Sequence, residues 1–366
     1  MAKRRTEGRK RVTINDVAKE AGVSIAAVSR ILNNSYDGFS AREETKQRVH
    51  DAVRKLGYRA NRSAVRLATG RHQALGFCYP QTGDPDRAVD TSSLDEMFVQ
   101  LAQMLQAHGA ARAAAAARHD LLLMMRGKGR TLEDVLQGAE ETVDGIVVVN
   151  PEDEGDPAKI LERASIPVAV VGSAAIDEKK VCSVRVDEFT AGRMAMGHLI
   201  VAGARRIAVA LPEAGAKTPS ILRRLEGVQT AVRTYNDPRL GFDVVKLSAD
   251  PARAEAAFLD HMGRWGRPDG VLSLGGALPF AILRALAEAR LRVPEDVKVA
   301  GFDENPMYAL HDPPITGIRY PIEEMCKKAT ELLLERLKTG AVPASVTMTP
   351  RMMARKSSEA PFTPFR

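Results

Sequence analysis

Polar side chains of the types that contact nucleic-acid bases and phosphates are concentrated in one short stretch, residues 13–33. Arg30 carries a forked guanidinium that matches O6 and N7 of guanine, a contact that discriminates between bases by about 1–3 kcal/mol. Hydroxyl and amide groups in the same stretch can bind phosphate oxygens without reading sequence; they belong to Thr13, Ser24, Ser29 and Asn33. The chemistry expected here is DNA binding. The alternative is a surface pairing of Arg30 with Glu20 or with a phosphate.

Two short helices joined by a tight turn are predicted to hold these side chains. Thr13 can cap the first helix, and Gly22 ends it after an apolar stripe at helical spacing, formed by Ile14, Val17, Ala18 and Ala21. Ser24 can cap the second helix. Its inward positions are Val28, Ile31 and Leu32, which leaves Ile25, Ala26, Ser29, Arg30 and Asn33 to face outward. The spacing is that of a helix-turn-helix, whose second helix enters the major groove by its N-terminal end.

A third helix is predicted to complete this module. Ser40 and Glu43 form a predicted capping box, and Gly57 ends the helix after an apolar face at Val49, Ala52, Val53 and Leu56. The following residues, 58–71, show a helical pattern too short to be stable alone in water, which predicts a conditional hinge.

The positive charge of the chain is confined to its N-terminal part. The net charge is +7, but residues 1–71 hold 17 Lys and Arg against 7 Asp and Glu, so the rest of the chain is slightly acidic. Residues 1–11 are basic and polar, which predicts a disordered tail, either a solvated leader or an arm that binds phosphate. A basic module on an acidic body indicates a polyanionic partner for the module and a different partner for the body.

The sequence argues against several other classes of protein. The basic start is followed by no apolar run of a signal peptide, and no apolar stretch reaches the roughly 18 residues of a membrane span. Three well-separated cysteines, Cys78, Cys182 and Cys326, are predicted to be reduced core thiols in a cytoplasmic protein. No spacing fits a metal site or a phosphate-binding glycine motif, so we expect no metal, no cofactor and no enzyme.

From residue 73 onward, short apolar runs alternate with amphipathic helices, a pattern typical of parallel sheets covered on both faces. Eight strands are predicted, at residues 74–79, 121–125, 145–149, 168–171, 206–211, 243–247, 270–274 and 298–302. A helix is predicted to begin near Leu94 and to include the alanine-rich residues 110–117. Trp265 is expected on a surface loop. The strands fit two doubly wound α/β lobes that bind a ligand in the cleft between them.

On these residues the chain resembles the lactose repressor family of bacterial transcription factors over nearly its whole length. Matching positions in the module and hinge are Thr13, residues 16–18, 21–24 and 28–30, Tyr58, Asn61, Ala64 and Leu67. Those in the body are residues 143–146, 166–168, 186–187, Gly192, residues 198–200, Gly203, residues 205–207, 224–227 and 299–303, Arg355 and Ser357. The resemblance implies an all-α helix-turn-helix module followed by an α/β two-lobed body like a periplasmic binding protein. It also implies a homodimer that binds a palindromic operator in double-stranded DNA and is controlled by a small ligand, expected to be a carbohydrate.

The resemblance also implies particular DNA contacts. Ile25 and Ala26 occupy positions that the family uses to read bases, and both lack donors here, so they can only contact thymine methyls or exclude other groups. Leu67 matches the apolar hinge side chain that is wedged into the minor groove, and an ordinary core leucine is the alternative. Phosphate would then be neutralised by Arg59, Arg62 and Arg66, and the remaining hinge candidates are Tyr58, Asn61 and Ala64.

For the body, the resemblance implies two effector-binding residues, Arg224 and Asp303. A guanidinium donates in a fixed fork and a carboxylate accepts from neighbouring hydroxyls, so both suit a hydroxylated ligand. Gly275 and Gly276 stand where relatives often place a polar pair. These glycines remove a side-chain contact to sugar, and they can enlarge the cleft or let backbone approach a ligand.

The predicted domain boundaries follow from these patterns. They are a tail at 1–11, a DNA-binding domain at 12–59, a hinge helix at 60–71, an N-terminal lobe at 72–185 and 320–345, and a C-terminal lobe at 186–319 and 346–360. Within regulation, the sequence leaves open a repressor or an activator, and an inducer or a corepressor. A periplasmic ligand carrier and an enzyme are the rivals from other classes.

Overall fold

The computed structural model describes residues 12–32, 41–58, 71–80, 94–127, 129–151, 156–213 and 215–359. The chain divides into an N-terminal unit, Met1–His72, and a body, Gln73–Arg366. The predicted tail and nearly all of the predicted hinge lie outside the described residues. No described helix has the length and apolar character required to cross a membrane.

The described residues of the N-terminal unit contain three helices: α1 (Ile14–Ala21), α2 (Ile25–Leu32) and α3 (Glu43–Leu56). Gly22 and Gly57 end α1 and α3 in the left-handed conformation, with φ of 63° and 62°. The small core contains the predicted inward residues Val17, Ala18, Ala21, Val28, Ile31, Val49 and Ala52. The prediction of a capping box formed by Ser40 and Glu43 was wrong. The helix α3 begins at Glu43, and Arg42 occupies the N-cap position.

The body contains nine helices among its described residues: α4 (Leu94–Ala116), α5 (Leu132–Glu140), α6 (Pro157–Glu162), α7 (Glu188–Val201), α8 (Pro219–Tyr235), α9 (Pro251–Trp265), α10 (Leu278–Glu288), α11 (Pro306–Leu310) and α12 (Ile322–Thr339). Its strands are β1 (Ala74–Pro80), β2 (Asp120–Arg126), β3 (Gly145–Val149), β4 (Val168–Val171), β5 (Cys182–Val186), β6 (Arg206–Pro212), β7 (Gly241–Leu247), β8 (Gly270–Ser273), β9 (Lys298–Gly301), β10 (Thr316–Arg319), β11 (Val346–Met348) and β12 (Arg351–Met353).

The strands form two six-stranded sheets, one in each lobe. The order in the first lobe is β11-β5-β4-β3-β1-β2, and all its pairings are parallel. The order in the second lobe is β12-β10-β9-β8-β6-β7, and only β12 runs antiparallel to its neighbour. Each sheet carries an apolar core on both faces. The predicted doubly wound, two-lobed α/β body is therefore confirmed.

Sequence reasoning located eight of the twelve described strands and missed β5, β10, β11 and β12, which have three to five residues each. One of them corrects a predicted boundary. Residues 346–348 were assigned to the C-terminal lobe, but β11 pairs with β5 in the sheet of the first lobe. The chain crosses to the second lobe after Met348 rather than after residue 345.

The structure also tests the predictions for Trp265 and for the three cysteines. Trp265 does not lie on a surface loop, since it ends α9, packs against a core of the second lobe and has the Arg206 guanidinium 4.3 Å from its ring centre. The three cysteines are buried free thiols, as predicted. Burial raises the pKa of Cys326 above the ordinary thiol value, so this thiol stays protonated.

Candidate functional site

The outer face of α2 is the candidate DNA-reading surface. Val28 and Ile31 are buried beneath it, which turns Ile25, Ala26 and Arg30 towards solvent and leaves Ser29 half-buried. Ile25 is 49% exposed, so its apolar side chain is accessible on this face. The structure thus brings these candidates onto one face.

Thr13 and Ser24 act as helix caps. The backbone N–H and the hydroxyl of Thr13 each lie 2.8 Å from Oδ2 of Asp16, and the Ala27 N–H donates to Ser24 Oγ at 3.2 Å. The predicted capping is confirmed. Both residues are exposed, so a phosphate contact at these helix N-termini stays a prediction that is compatible with capping.

Other DNA candidates are only partly covered by the structure. Tyr58 is half-buried against the core of the N-terminal unit. Glu20, the partner considered for Arg30, accepts a hydrogen bond from Lys55 Nζ at 2.6 Å. The remaining candidates lie outside the described residues: Asn33, Arg59, Asn61, Arg62, Ala64, Arg66 and Leu67.

The second candidate site is a cavity of about 810 Å³ in the body, lined by residues of both lobes. This volume lies within the range of small-ligand sites, roughly 300–1,000 Å³. The cavity meets the carboxyl ends of β1, β3, β4, β6 and β8, where doubly wound sheets bind ligands. Its uncharged polar lining includes Gln103, Gln106, Asn150, Ser173, Thr218, Ser220 and Asn305.

Arg224 lies in α8 and lines this cavity, but its guanidinium is engaged within the protein. Nε donates to Glu188 Oε2 at 2.8 Å, Nη2 lies 3.4 Å from Glu188 Oε1, and Nη1 donates to the Leu274 carbonyl at 2.9 Å. The side chain is 8% exposed. Burial acts to lower the pKa of Arg224, but the charges of its acidic neighbours hold it well above its ordinary value.

Asp303 follows β9 and presents its carboxylate to the cavity, with 45% of the side chain exposed there. Its Oδ1 lies 3.6 Å from Arg224 Nη2, and its backbone takes a left-handed φ of 56° that is rare outside glycine. Removal from bulk water raises the pKa of Asp303 above its ordinary value, and the nearby Arg224 opposes this shift. A carboxylate with a perturbed pKa in a cleft is typical of functional residues.

Gly275 and Gly276 line the cavity beside Asp303. A Cβ on Gly276 would lie 3.2 Å from the Asp303 Cβ, so a larger residue would crowd the carboxylate. The Tyr308 hydroxyl lies 2.7 Å from the Gly276 carbonyl and 2.9 Å from the Phe302 carbonyl. Tyr308 therefore ties the glycine pair to the segment that carries Asp303.

Close packing of α7 against α8 brings Glu188 to Arg224. A Cβ on Gly192 would lie 2.0 Å from the Arg224 carbonyl oxygen, and a Cβ on Gly227 would lie 2.1 Å from that of Phe189. The helices can approach this closely only because both positions are glycine.

The structure thus joins Arg224, Asp303, Gly275 and Gly276 around one cavity, and it adds three residues that sequence reasoning missed: Glu188, Tyr308 and Tyr320. Two of these residues could have been found from the sequence. Glu188 and Tyr320 lie next to the predicted lobe boundaries at 185/186 and 319/320, and a cleft between lobes borders such boundaries. Within the described ranges, no cluster of three His, Cys, Asp or Glu side chains could hold a metal ion.

Comparisons with known proteins match both parts of the chain. Residues 13–61 match the family described as "Bacterial regulatory proteins, lacI family", and residues 196–358 match a periplasmic binding protein-like domain. The chain is 28% identical to the HTH-type transcriptional regulator CelR of Thermobifida fusca, over 96% of this chain and 99% of that protein. It is 27% identical to the regulator GalS of Salmonella typhimurium, over 88% and 89% of the two chains.

Solved structures show the same architecture. A complex of the transcriptional regulator CelR with cellobiose matches with a TM-score of 0.66 at 25% identity, over 95% of this chain and all of that one. The Lac repressor dimer bound to operator and the anti-inducer ONPF matches with a TM-score of 0.74 at 20% identity, over 96% and 100% of the two chains.

The module and the body together define a helix-turn-helix transcriptional regulator with a ligand-binding domain. The chain belongs to the lacI family of bacterial regulatory proteins. The family resemblance and the fold class predicted from the sequence are confirmed. Its relatives are transcriptional regulators rather than enzymes.

Proposed function

We propose that this regulator is a repressor that binds a palindromic operator as a homodimer and releases it when a neutral carbohydrate occupies the cleft. The carrying observation is that one chain combines a helix-turn-helix with a cavity holding an exposed carboxylate, Asp303, beside a buried arginine, Arg224. The names of the relatives support the two partners, since one CelR structure contains cellobiose and one Lac repressor structure is a dimer on its operator.

The charges of the cavity favour a neutral ligand over a phosphorylated or acidic one. In the described part of the lining, both arginines are already ion-paired, Arg224 with Glu188 and Arg319 with Glu304. The Asp303 carboxylate lies 3.6 Å from Arg224 Nη2, but 45% of its side chain is exposed, so it can still accept hydrogen bonds from two neighbouring hydroxyls. A sugar phosphate would meet this negative charge with no available counter-charge from those two arginines.

On the DNA, we propose that Arg30 reads a guanine while Ile25 and Ala26 contact thymine methyls, with Thr13, Ser24 and Ser29 on phosphates. Fluorescence anisotropy with the full chain tests this, using a palindromic duplex recovered by in vitro selection and a scrambled duplex. Specific binding should exceed scrambled binding by at least a thousandfold, and log K should fall linearly with log salt. Equal binding to both duplexes would contradict the proposal.

The effector is tested on the same complex with cellobiose, galactose, ribose and glucose 6-phosphate. A neutral sugar should raise the melting temperature and release the duplex, and glucose 6-phosphate should do neither. Asp303→Asn should abolish the response, while Asp260→Asn, exposed on α9 and outside the cavity lining, should keep it. Tighter operator binding with sugar would instead make the sugar a corepressor, and a response only to the phosphate would overturn the ligand class.

A further inference from the structure

Within the described residues of the body, the chain passes between the two lobes three times, and these passages lie side by side. The first, at Asp187, joins β5 to α7, the second, at residues 320–321, joins β10 to α12, and the third, at residues 349–350, joins β11 to β12. The Asp187 N–H donates to the Met348 carbonyl at 3.1 Å, which links the first passage to the third. Any rotation of one lobe relative to the other must be absorbed here.

Tyr320 is part of the packing of both lobes. Its half-buried side chain packs against an apolar core of the first lobe and also against one of the second. In the second lobe, its ring meets Phe302 edge-on at 6.4 Å between ring centres, and the Arg224 guanidinium lies 5.1 Å from the ring centre. Tyr320 therefore contacts the residue before Asp303 and the effector-site arginine while lying in the second passage.

The Tyr320 hydroxyl also connects the second passage to the first. It donates to Oε2 of Glu188, the first residue of α7, immediately after the passage at Asp187. Burial and the Glu188 charge hold the pKa of Tyr320 well above its ordinary value, so the hydroxyl keeps the proton that it donates.

Glu188 Oε2 has a second donor, Arg224 Nε, at 2.8 Å. Arg224 in turn lies 3.6 Å from Asp303, whose carboxylate faces the cavity. One run of polar contacts thus leads from the cavity to the lobe passages. Because Tyr320 and Arg224 share a single acceptor oxygen, a movement of Arg224 changes the hydrogen bond of Tyr320 directly.

We propose that Tyr320 is a positioning residue that couples occupancy of the cleft to the arrangement of the lobes. A ligand hydroxyl that binds Asp303 alters the Asp303–Arg224 contact, Arg224 shifts on Glu188, and the Tyr320 hydroxyl carries this shift into the two passages. This role rests on the proposed function, because it assumes that the cleft holds the effector.

The first test needs no ligand. Tyr320→Phe keeps the ring and removes only the hydroxyl, and the matched control is Tyr235→Phe, at the exposed end of α8 and away from the cavity. Hydrogen–deuterium exchange of the full chain is followed in peptides covering residues 182–190 and 316–324. We expect at least threefold faster exchange of both segments in Tyr320→Phe and parent-like exchange in the control. Unchanged exchange in both segments would overturn the link.

The second test measures the coupling itself. The operator Kd is determined with and without saturating cellobiose, and the ratio of the two values is compared among the three proteins. We expect this ratio to fall about tenfold in Tyr320→Phe and to stay at the parent value in Tyr235→Phe. A parent-like ratio in Tyr320→Phe would overturn the coupling role. If cellobiose does not bind the parent, galactose or ribose takes its place; if none of the three binds, the effector assignment fails, and the exchange result still decides the role of Tyr320.

Discussion

Phe98 and Phe280 stack on each other from opposite lobes, with ring centres 5.6 Å apart and ring planes inclined by 20°. Phe98 lies on α4 of the first lobe and lines the cavity, and Phe280 lies on α10 of the second lobe, next to the segment of Gly275 and Gly276. Tyr308 and His311 meet the Phe280 ring edge-on at 5.8 and 5.7 Å. The two lobes are thus held together by an aromatic contact in addition to their three chain passages.

This stacking should be measurable as a coupling energy between the two lobes. We expect a double-mutant cycle of Phe98→Leu and Phe280→Leu, read as free energy of unfolding in urea, to give about 0.5–1.5 kcal/mol of interaction beyond additivity. Phe242→Leu, on β7 and packed against another core, is the control partner for Phe98→Leu, and that pair should be additive. Additivity of the Phe98 and Phe280 changes would show that the contact contributes nothing.

The close approach of α7 and α8 predicts opposite outcomes for two glycines of the same helix. Gly192→Ala should lower the free energy of unfolding by about 1–3 kcal/mol, because its Cβ would lie 2.0 Å from the Arg224 carbonyl oxygen and push the helices apart. At Gly197, an added Cβ would meet only the Tyr235 side chain, at an ordinary 3.7 Å. Gly197→Ala should therefore be neutral, or stabilising by up to about 1 kcal/mol. Urea denaturation of both variants measures the difference.

We predict that Glu304 makes a pH-dependent contribution to the stability of the fold. Its side chain is 1% exposed and accepts hydrogen bonds from Arg319 and Arg355. Burial by itself raises the pKa of Glu304, but the hydrogen bonds and charges of these two arginines lower the pKa by a larger amount. The pKa of Glu304 therefore lies below its ordinary value of 4.5. The carboxylate thus stabilises the fold above pH 4.5, and this contribution is lost as the pH falls through the lower folded-state value.

We expect Glu304→Gln to cost about 1–3 kcal/mol in the free energy of unfolding at pH 7, because it removes the counter-charge of the Arg355 guanidinium, whose side chain is only 15% exposed. The difference in the free energy of unfolding between the parent and Glu304→Gln should become smaller below pH 4.5. Glu226→Gln, at an exposed pair with Arg223 on α8, should change stability by less than about 1 kcal/mol. A deficit that is constant with pH would mean that the Glu304 charge is not responsible.

We predict that substitution of Arg30 changes the sequence specificity of DNA binding more than the affinity for DNA in general. If Arg30 reads a guanine, Arg30→Ala should weaken binding to the selected operator by about 5–160-fold, corresponding to roughly 1–3 kcal/mol, with a much smaller loss on scrambled duplex. Arg54→Ala, exposed on α3 and paired with Asp51, is the control and should lower both affinities little. Anisotropy titrations at one salt concentration provide the comparison. Equal losses on both duplexes would identify Arg30 as a phosphate contact.

The sequence by itself determined the features that depend on local periodicity and on residue type. The caps at Thr13 and Ser24, the glycine ends of α1 and α3, and eight strands followed from apolar spacing and turn residues. Motif resemblance then pointed to Arg224 and Asp303. These signals are readable because each involves neighbours within a few positions of the chain.

The tertiary structure alone decided what surrounds those two residues. Glu188 and Tyr320 are 132 positions apart in the sequence. No periodic pattern of residues predicts that they share a hydrogen bond at the lobe passages. The four missed strands are short and lie at or next to the passages, where pairing across the sheet outweighs their weak local pattern. Arg224 became a buried, internally paired group instead of an open fork because two glycines let α7 and α8 approach. Such contacts between distant segments are fixed by packing, which a single sequence encodes only through the complete fold.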